Sequence, residues 1–268
     1  MTPRALWLDI NETLIRTGSV PLALRLAEQA ALEQVRELAA ALAAARPLSV
    51  VLVTGNSFEY ARRVEEPLAL RALPGVTVDV IAEGGLVCRS LSGGGGGWVA
   101  AAPAAWRGAI AAMRARIDAD PSLCGRVFEQ GNEVRVTWKP VADQHDPATL
   151  AGLIGHARAV GVDALGGLDA HPLWLDLWPG EVDVDGAAWP SPDKGGALRR
   201  WLGDRRVDVR AVGDSAGDTP MFELAVATGG EAWVVANGTA DGPWRRAAGA
   251  FTAGVVEVMT RWVQAGSG

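Results

Sequence analysis

Four short segments of this chain carry residue types that do chemistry. They are Asp9-Ile10-Asn11-Glu12-Thr13, Thr54-Gly55-Asn56, Lys194, and Gly213-Asp214-Ser215-Ala216-Gly217-Asp218. Together they fit phosphoryl transfer to a carboxylate. Asp9 can attack phosphorus and form an aspartyl-phosphate, which divides hydrolysis into two easier steps. Mg²⁺ takes hard oxygen ligands, and Asp9, the backbone carbonyl of Asn11, Asp214 and Asp218 offer them. Thr54, with backbone N–H groups at Gly55 and Asn56, can hold phosphate oxygens, and Lys194 can neutralise charge between nucleophile and phosphate. Such a reaction is mostly positioning and charge stabilisation. Taken singly, each segment has a plainer reading: an aspartate at a strand end is most often a helix cap, and a lone lysine is most often solvated. What sets them apart is their common placement.

That placement follows from the elements around them. Ala5–Leu8 reads as a buried strand ending at Asp9, and residues 22–45, rich in Ala, Leu and Glu, as a helix. Leu48–Val53 is a second apolar strand, closed by Thr54. A helix fits Phe58–Leu70 and a third strand Val76–Ile81. Strand and helix alternating in this way predict a parallel sheet with crossover helices. The character then changes. After five glycines, Gly93 to Gly97, come a helix at 104–118 and strands at 126–129 and 133–138. A helix at 147–160 and strands at 163–165 and 173–177 follow, which together read as a small α+β unit. Beyond Pro190-Ser191-Pro192 the first pattern resumes with a helix at 194–202, a strand at 207–212, a helix at 219–226, a strand at 232–236 and a helix at 254–264. The expected architecture is α/β: a Rossmann-like parallel-sheet core over residues 1–85 and 186–268, interrupted by a smaller α+β insert over 86–185. All four segments then fall at the C-terminal ends of core strands or just beyond, Lys194 as the opening of a helix, and ligands bind there in open parallel sheets.

Composition narrows the partners. The 268 residues carry a net charge of -6, with 49% hydrophobic and 21% charged residues, which fits a globular chain and not a disordered one. The acidic balance argues against nucleic acid as a partner. An anionic substrate stays open, because a bound cation reverses the local field. No apolar run is long enough to span a membrane. Cys88 and Cys124 form no disulfide or zinc pattern, and Asp9 interrupts the N-terminal apolar stretch before it can read as a signal peptide, so a cytoplasmic protein is expected. Eleven tryptophans stand against one tyrosine, and nothing in the sequence accounts for that ratio.

With these motifs in order, the chain resembles the haloacid dehalogenase (HAD) superfamily of phosphatases. Asp9 to Thr13 is similar to the family's strand-end Asp-x-Asp-x-Thr, Thr54 to its Ser/Thr, Lys194 to its lysine, and Gly213 to Asp218 to its Gly-Asp-x-x-x-Asp loop. Glu83-Gly84-Gly85, Asp193 to Leu198 and Asp218-Thr219-Pro220-Met221 resemble the sugar-phosphate branch. The helix-strand-strand pattern of the insert is similar to the caps of trehalose- and sucrose-phosphatase relatives. The resemblance implies an Mg²⁺-dependent phosphatase acting on a small sugar-like phosphate ester, with the insert as a cap that selects the substrate.

Two positions depart from the family pattern. Asn11 stands where relatives carry the aspartate that protonates the leaving oxygen and then activates water, and Asn can do neither. Gly217 stands where relatives often carry Asn. Three readings of Asn11 remain open. Glu12 or an undemanding substrate can cover the lost role. Asp9 can serve other chemistry, since Asp9 to Leu14 also resembles the first motif of 2-haloacid dehalogenases. Or the protein binds phosphorylated metabolites without efficient turnover. A serine-hydrolase reading of Gly213-Asp214-Ser215-Ala216-Gly217 fails on chain order, because His145, His156 and His171 all precede Ser215. Those histidines match no common metal spacing, although His145 or His171 can face a substrate from the insert. So can Glu129, Arg135, Lys139, Trp174 and Trp178.

Overall fold

The computed structural model describes residues 2–17, 22–27, 31–93, 96–141, 146–171, 174–190 and 192–266, so His145 lies outside the described residues. The chain forms two compact units, one of residues 1–97 and 193–268, the other of Trp98–Pro192.

The first unit begins with β1 (Arg4–Asp9), α1 (Leu22–Ala27), α2 (Leu32–Ala45), β2 (Leu48–Val53), α3 (Phe58–Leu68), β3 (Val76–Ala82) and β4 (Val87–Ser90). The second holds β5 (Trp98–Val99), α4 (Ala104–Ala119), β6 (Val127–Gln130), β7 (Val136–Pro140), α5 (Pro147–Ala159), α6 (Val162–Leu165), β8 (Gly166–His171), β9 (Trp174–Pro179), β10 (Glu181–Val184) and β11 (Ala187–Pro190). The first unit resumes with α7 (Lys194–Leu202), β12 (Asp208–Gly213), α8 (Thr219–Ala227), β13 (Glu231–Val234), β14 (Arg245–Arg246) and α9 (Phe251–Ala265).

The strands of the first unit lie in the order β14-β13-β12-β1-β2-β3-β4. All these neighbours are parallel except β3 and β4. Ala5 to Leu8 and Val50 to Val53 are fully buried, because a central parallel strand has both faces covered and so reads as a continuous apolar run. Register then fixes the chemistry's location. Leu8 is level with Val212 and Asp9 with Val53. Asp9, Thr54 and Asp214 therefore leave the same edge of the sheet, on either side of the point where strand order reverses.

In the second unit the sheet runs β6-β7-β9-β8. Val136, Trp138, Leu175 and Leu177 pack against Ile110 and Met113 of α4 and Leu153 and Ala157 of α5. Strand alternation puts Thr137, Lys139, Trp174, Asp176 and Trp178 on the opposite face. Gly167, level with Trp178, leaves room for its ring: a Cβ at Gly167 would collide with the indole.

Several expectations change in detail. Val87–Ser90 pairs antiparallel with β3, so the second compact unit starts at Trp98, not residue 86, and ends at Pro192, not 185. The strand expected at 163–165 is the short helix α6, entered through Gly161 at φ 72°. The hairpin of β10 and β11 had no sequence counterpart. The helix expected over 22–45 is described as α1 and α2, with 28–30 outside the described residues.

Some of the tryptophans have specific polar partners. Four indole N–H groups donate to carboxylates: Trp174 to Asp176 at 3.0 Å, Trp201 to Asp79 at 2.8 Å, Trp233 to Glu231 at 3.1 Å and Trp262 to Asp208 at 3.1 Å. Arg205 lies 4.1 Å over the Trp201 ring, and Arg210 and Arg4 lie 5.0 and 5.5 Å from that of Trp262. An indole offers a cation-binding face and a fixed donor at once.

Candidate active site

Each candidate residue is placed by local chemistry. After β1 the chain turns tightly: Leu14 N and Ile15 N both donate to Ile10 O at 2.9 Å, and Glu12 adopts φ 58°. Asn237 braces that turn, its Nδ2 donating to Glu12 O at 2.7 Å. The turn returns Thr13, whose Oγ1 donates to Asp214 Oδ1 at 3.1 Å. Asp193 caps α7 by accepting from Gly196 N at 2.6 Å, which makes Lys194 the first helical residue. Gly195 permits the close approach of α8, since a Cβ there would lie 2.5 Å from Pro220 O. Ser57 caps α3 by accepting from Tyr60 N, so the chain enters a helix directly after Thr54-Gly55-Asn56.

Lys194 is the hub. Its Nζ donates to Asp9 Oδ1 and to Asp218 Oδ1, both at 2.6 Å. Asp218 is fully buried, and its Oδ2 accepts from Asp214 N at 2.9 Å and Ser215 N at 3.1 Å. One carboxylate thus both orients the lysine and shapes the loop that carries Asp214. Asp9, Asp214 and Asp218 each offer a carboxylate oxygen, and these atoms lie within 4.8 Å of one another.

Three carboxylates around one ammonium leave excess negative charge in a buried place. Burial pushes the Asp9 carboxyl up to about 8, with Lys194 opposing and Asp218 and Asp214 adding to the rise. Burial and Asp218 push Asp214 up to about 6, against the pull of Thr13 and Lys194. Burial works against the Lys194 ammonium, but Asp218 and Asp9 outweigh it and raise its pKa. The donor set is all oxygen, anionic and unbalanced, which fits a hard divalent cation such as Mg²⁺. Asp9, Asp214 and the Asn11 carbonyl would hold it. Asp218 completes the cluster with both oxygens already engaged.

Beside this cluster is a neutral group. Asn56 Nδ2 donates to Asn11 Oδ1 at 2.9 Å, Thr54 Oγ1 approaches the same oxygen at 3.5 Å, and Asn11 Nδ2 donates to Tyr60 Oη at 3.2 Å. Of the phosphate-holding groups expected around Thr54, Asn56 N donates instead to Thr54 Oγ1 at 3.1 Å, and the Asn56 amide goes to Asn11. Tyr60 and Asn237 went unnoticed in the sequence. Tyr60 had a signal, being the single tyrosine, in the first turn of the helix after Asn56. Glu12 Oε1 accepts from Thr17 N at 2.6 Å, and its charge adds to the rise of Asp214. Of the histidines, His156 contacts Asp120 at 2.8 Å, and His171 stacks on Trp174 at 3.6 Å between ring centroids.

No protein-family model matches the chain, and no curated protein matches it in sequence. Solved structures do match it in shape. A Thermoplasma acidophilum protein aligns over 98% of this chain and 99% of its own at 14% identity, with a TM-score of 0.62. A haloacid dehalogenase-like hydrolase from Bacteroides thetaiotaomicron aligns over 97% and 99% at 14% identity, with a TM-score of 0.59. The trehalose-6-phosphate phosphatase of Aspergillus fumigatus aligns over 98% and 93% at 15% identity, with a TM-score of 0.56. Identities this low establish a shared fold, and the chain has the fold of the haloacid dehalogenase-like hydrolases.

Proposed function

We propose that the chain is an Mg²⁺-dependent phosphohydrolase acting on a small, sugar-like phosphorylated metabolite through an aspartyl-phosphate at Asp9. The observation that carries this reading is the Lys194 ammonium bridging Asp9 and Asp218 at 2.6 Å each. A buried lysine so held keeps the nucleophilic carboxylate oriented and meets incoming phosphate charge without reorganising. Thr54, at the end of the adjacent strand, contributes a hydroxyl to phosphate oxygens. Mg²⁺, when bound by Asp9, Asp214 and the Asn11 carbonyl, supplies further charge neutralisation at the phosphoryl group. Asp218 fixes Lys194 and the Asp214 backbone, and Thr13 fixes the Asp214 carboxylate.

The second unit, taken by itself, carries a polar face on the β6-β7-β9-β8 sheet whose residue types suit sugar hydroxyls. There Asp176 accepts from Arg135 at 2.8 Å, from Trp174 and from Thr137. Trp174 is stacked with His171, and Arg135 lies 5.2 Å over the Trp178 ring. Flat aromatic surfaces beside fixed polar groups suit a polyhydroxylated ligand. The fold shared with a trehalose-6-phosphate phosphatase points the same way.

The test is phosphate release from a panel of phosphorylated metabolites, with Mg²⁺ and with EDTA. Mg²⁺-dependent release that Asp9→Asn abolishes is the expected result. Release that survives Asp9→Asn refutes the nucleophile, and binding without release by every form favours a metabolite-binding protein.

A further inference from the structure

Asn11 stands two residues beyond Asp9, and its carboxamide is held from two sides. Its oxygen accepts from Asn56, and one of its N–H groups donates to Tyr60. A carboxamide has two donors and room for two acceptor bonds. Its second N–H therefore bonds nothing among the described residues. This group can donate a hydrogen bond, but at neutral pH it neither releases nor accepts a proton. The neighbouring carboxylates already hold partners: one oxygen of Glu12 accepts from Thr17 N, one of Asp214 from Thr13, and both of Asp218 from Lys194 and the loop amides.

We propose that Asn11, oriented by Asn56 and Tyr60, gives a neutral hydrogen bond to the leaving oxygen. The site then takes phosphate compounds whose leaving oxygen departs as a stabilised anion, acyl and enol phosphates above all, in preference to phosphate esters of simple alcohols. The inference rests on the phosphohydrolase reading and narrows it. The sugar-like body of the substrate and the bond that breaks are separate determinants.

The bond changes follow from these groups. An Asp9 carboxylate oxygen bonds to phosphorus as the bond from phosphorus to the leaving oxygen breaks. The leaving group takes that electron pair and departs as a carboxylate or enolate, with no proton from the protein. Water then attacks the same phosphorus, the bond to Asp9 breaks, Asp9 recovers its electron pair, and the proton of water goes to the phosphate released. An alkoxide cannot leave on these terms, because it needs a proton as it departs. General acid–base assistance is worth roughly 10²–10⁴-fold, and that is the expected scale of discrimination. The second step also lacks a base at position 11, so phosphorylated Asp9 accumulates.

The experiment uses the full chain with Mg²⁺, measuring kcat/KM for acyl and aryl phosphates (acetyl phosphate and p-nitrophenyl phosphate) against alkyl phosphates (glycerol 3-phosphate and glucose 6-phosphate). Wild type is expected to favour the first set by roughly 10²-fold or more, with a burst of leaving group before steady state. Asn11→Asp raises the alkyl rates, narrows that ratio and removes the burst. Tyr60→Phe lowers kcat on acetyl phosphate severalfold at unchanged KM. Wild-type rates on the two sets within about tenfold of each other overturn this inference and leave the phosphohydrolase intact. No release from any compound by wild type or Asn11→Asp overturns the phosphohydrolase reading, and this one with it. The wild-type ratio decides the matter even where a variant fails to fold.

Discussion

The carboxylate of Asp218 occupies the space that a side chain on Gly213 would need: a Cβ at Gly213 would lie 2.5 Å from Asp218 Oδ2 and 2.7 Å from its Cγ. Gly213 ends β12, so the last residue of that strand must be bare for the lysine-holding carboxylate to sit over it. Gly213→Ala is expected to displace Asp218, lower the melting temperature and cut phosphate release by roughly 10²-fold, the scale of losing one preorganised electrostatic group. Gly217 is the control. A Cβ there meets only Ser215 Oγ at 3.6 Å, so Gly217→Ala should leave both readouts near wild type.

The metal-free protein should lose stability as pH rises. Asp9, with its folded-state pKa pushed up to about 8 from an ordinary 3.8, contributes stability that is fully present below the unfolded value and lost as pH rises through the folded one. Asp214, raised to about 6, acts in the same direction. Melting temperature in EDTA should therefore fall between about pH 4 and pH 8, and saturating Mg²⁺ should flatten the decline, because a bound cation favours the ionised carboxylates. A flat profile in EDTA contradicts the burial of unbalanced charge.

Lys194→Met removes the ammonium while keeping most of the volume. Two buried carboxylates then lose their cation, at a cost of about 3–5 kcal/mol near pH 8. Chemical denaturation at pH 8 and at pH 5 distinguishes this from lost packing: the deficit should shrink at pH 5, where Asp9 takes up a proton.

In the second unit, Asp176→Ala should cost about 2 kcal/mol, the range for hydrogen bonds to a charged group, since Arg135, Thr137 and Trp174 lose their shared acceptor. Asp176→Asn, whose single oxygen can still accept from Trp174 while its amide turns a donor to Thr137 Oγ1, should cost less. Circular dichroism should show the helices unchanged in both, because the apolar core lies on the other face of the sheet.

Much of the frame was legible because its signals are local. Strands β1 and β2 showed as apolar runs, since burial on both faces demands them, and β3 and β12 as mostly apolar ones. Helix α7 was readable over its whole length, Lys194–Leu202, from an Asp cap at one end and a Gly at the other. Elements with weak local signals escaped. The β10–β11 hairpin carries residues as varied as Glu181, Asp183 and Pro190, and β4 is recognisable only from its antiparallel partner β3.

The same division holds for the candidate site. By itself, the sequence determined that Asp9, Thr54, Lys194 and Asp214 each stand at an element's end, because apolar runs, caps and turns are written over a few neighbouring residues. It also determined that position 11 carries no carboxylate. The tertiary structure alone decided the partnerships: Lys194 with Asp9, 185 positions away in the chain, Thr13 with Asp214, and Asn11 with Asn56 and Tyr60. Strand order and register set which ends meet, and these arise from burying whole faces of a sheet at once. No short stretch of residues encodes them.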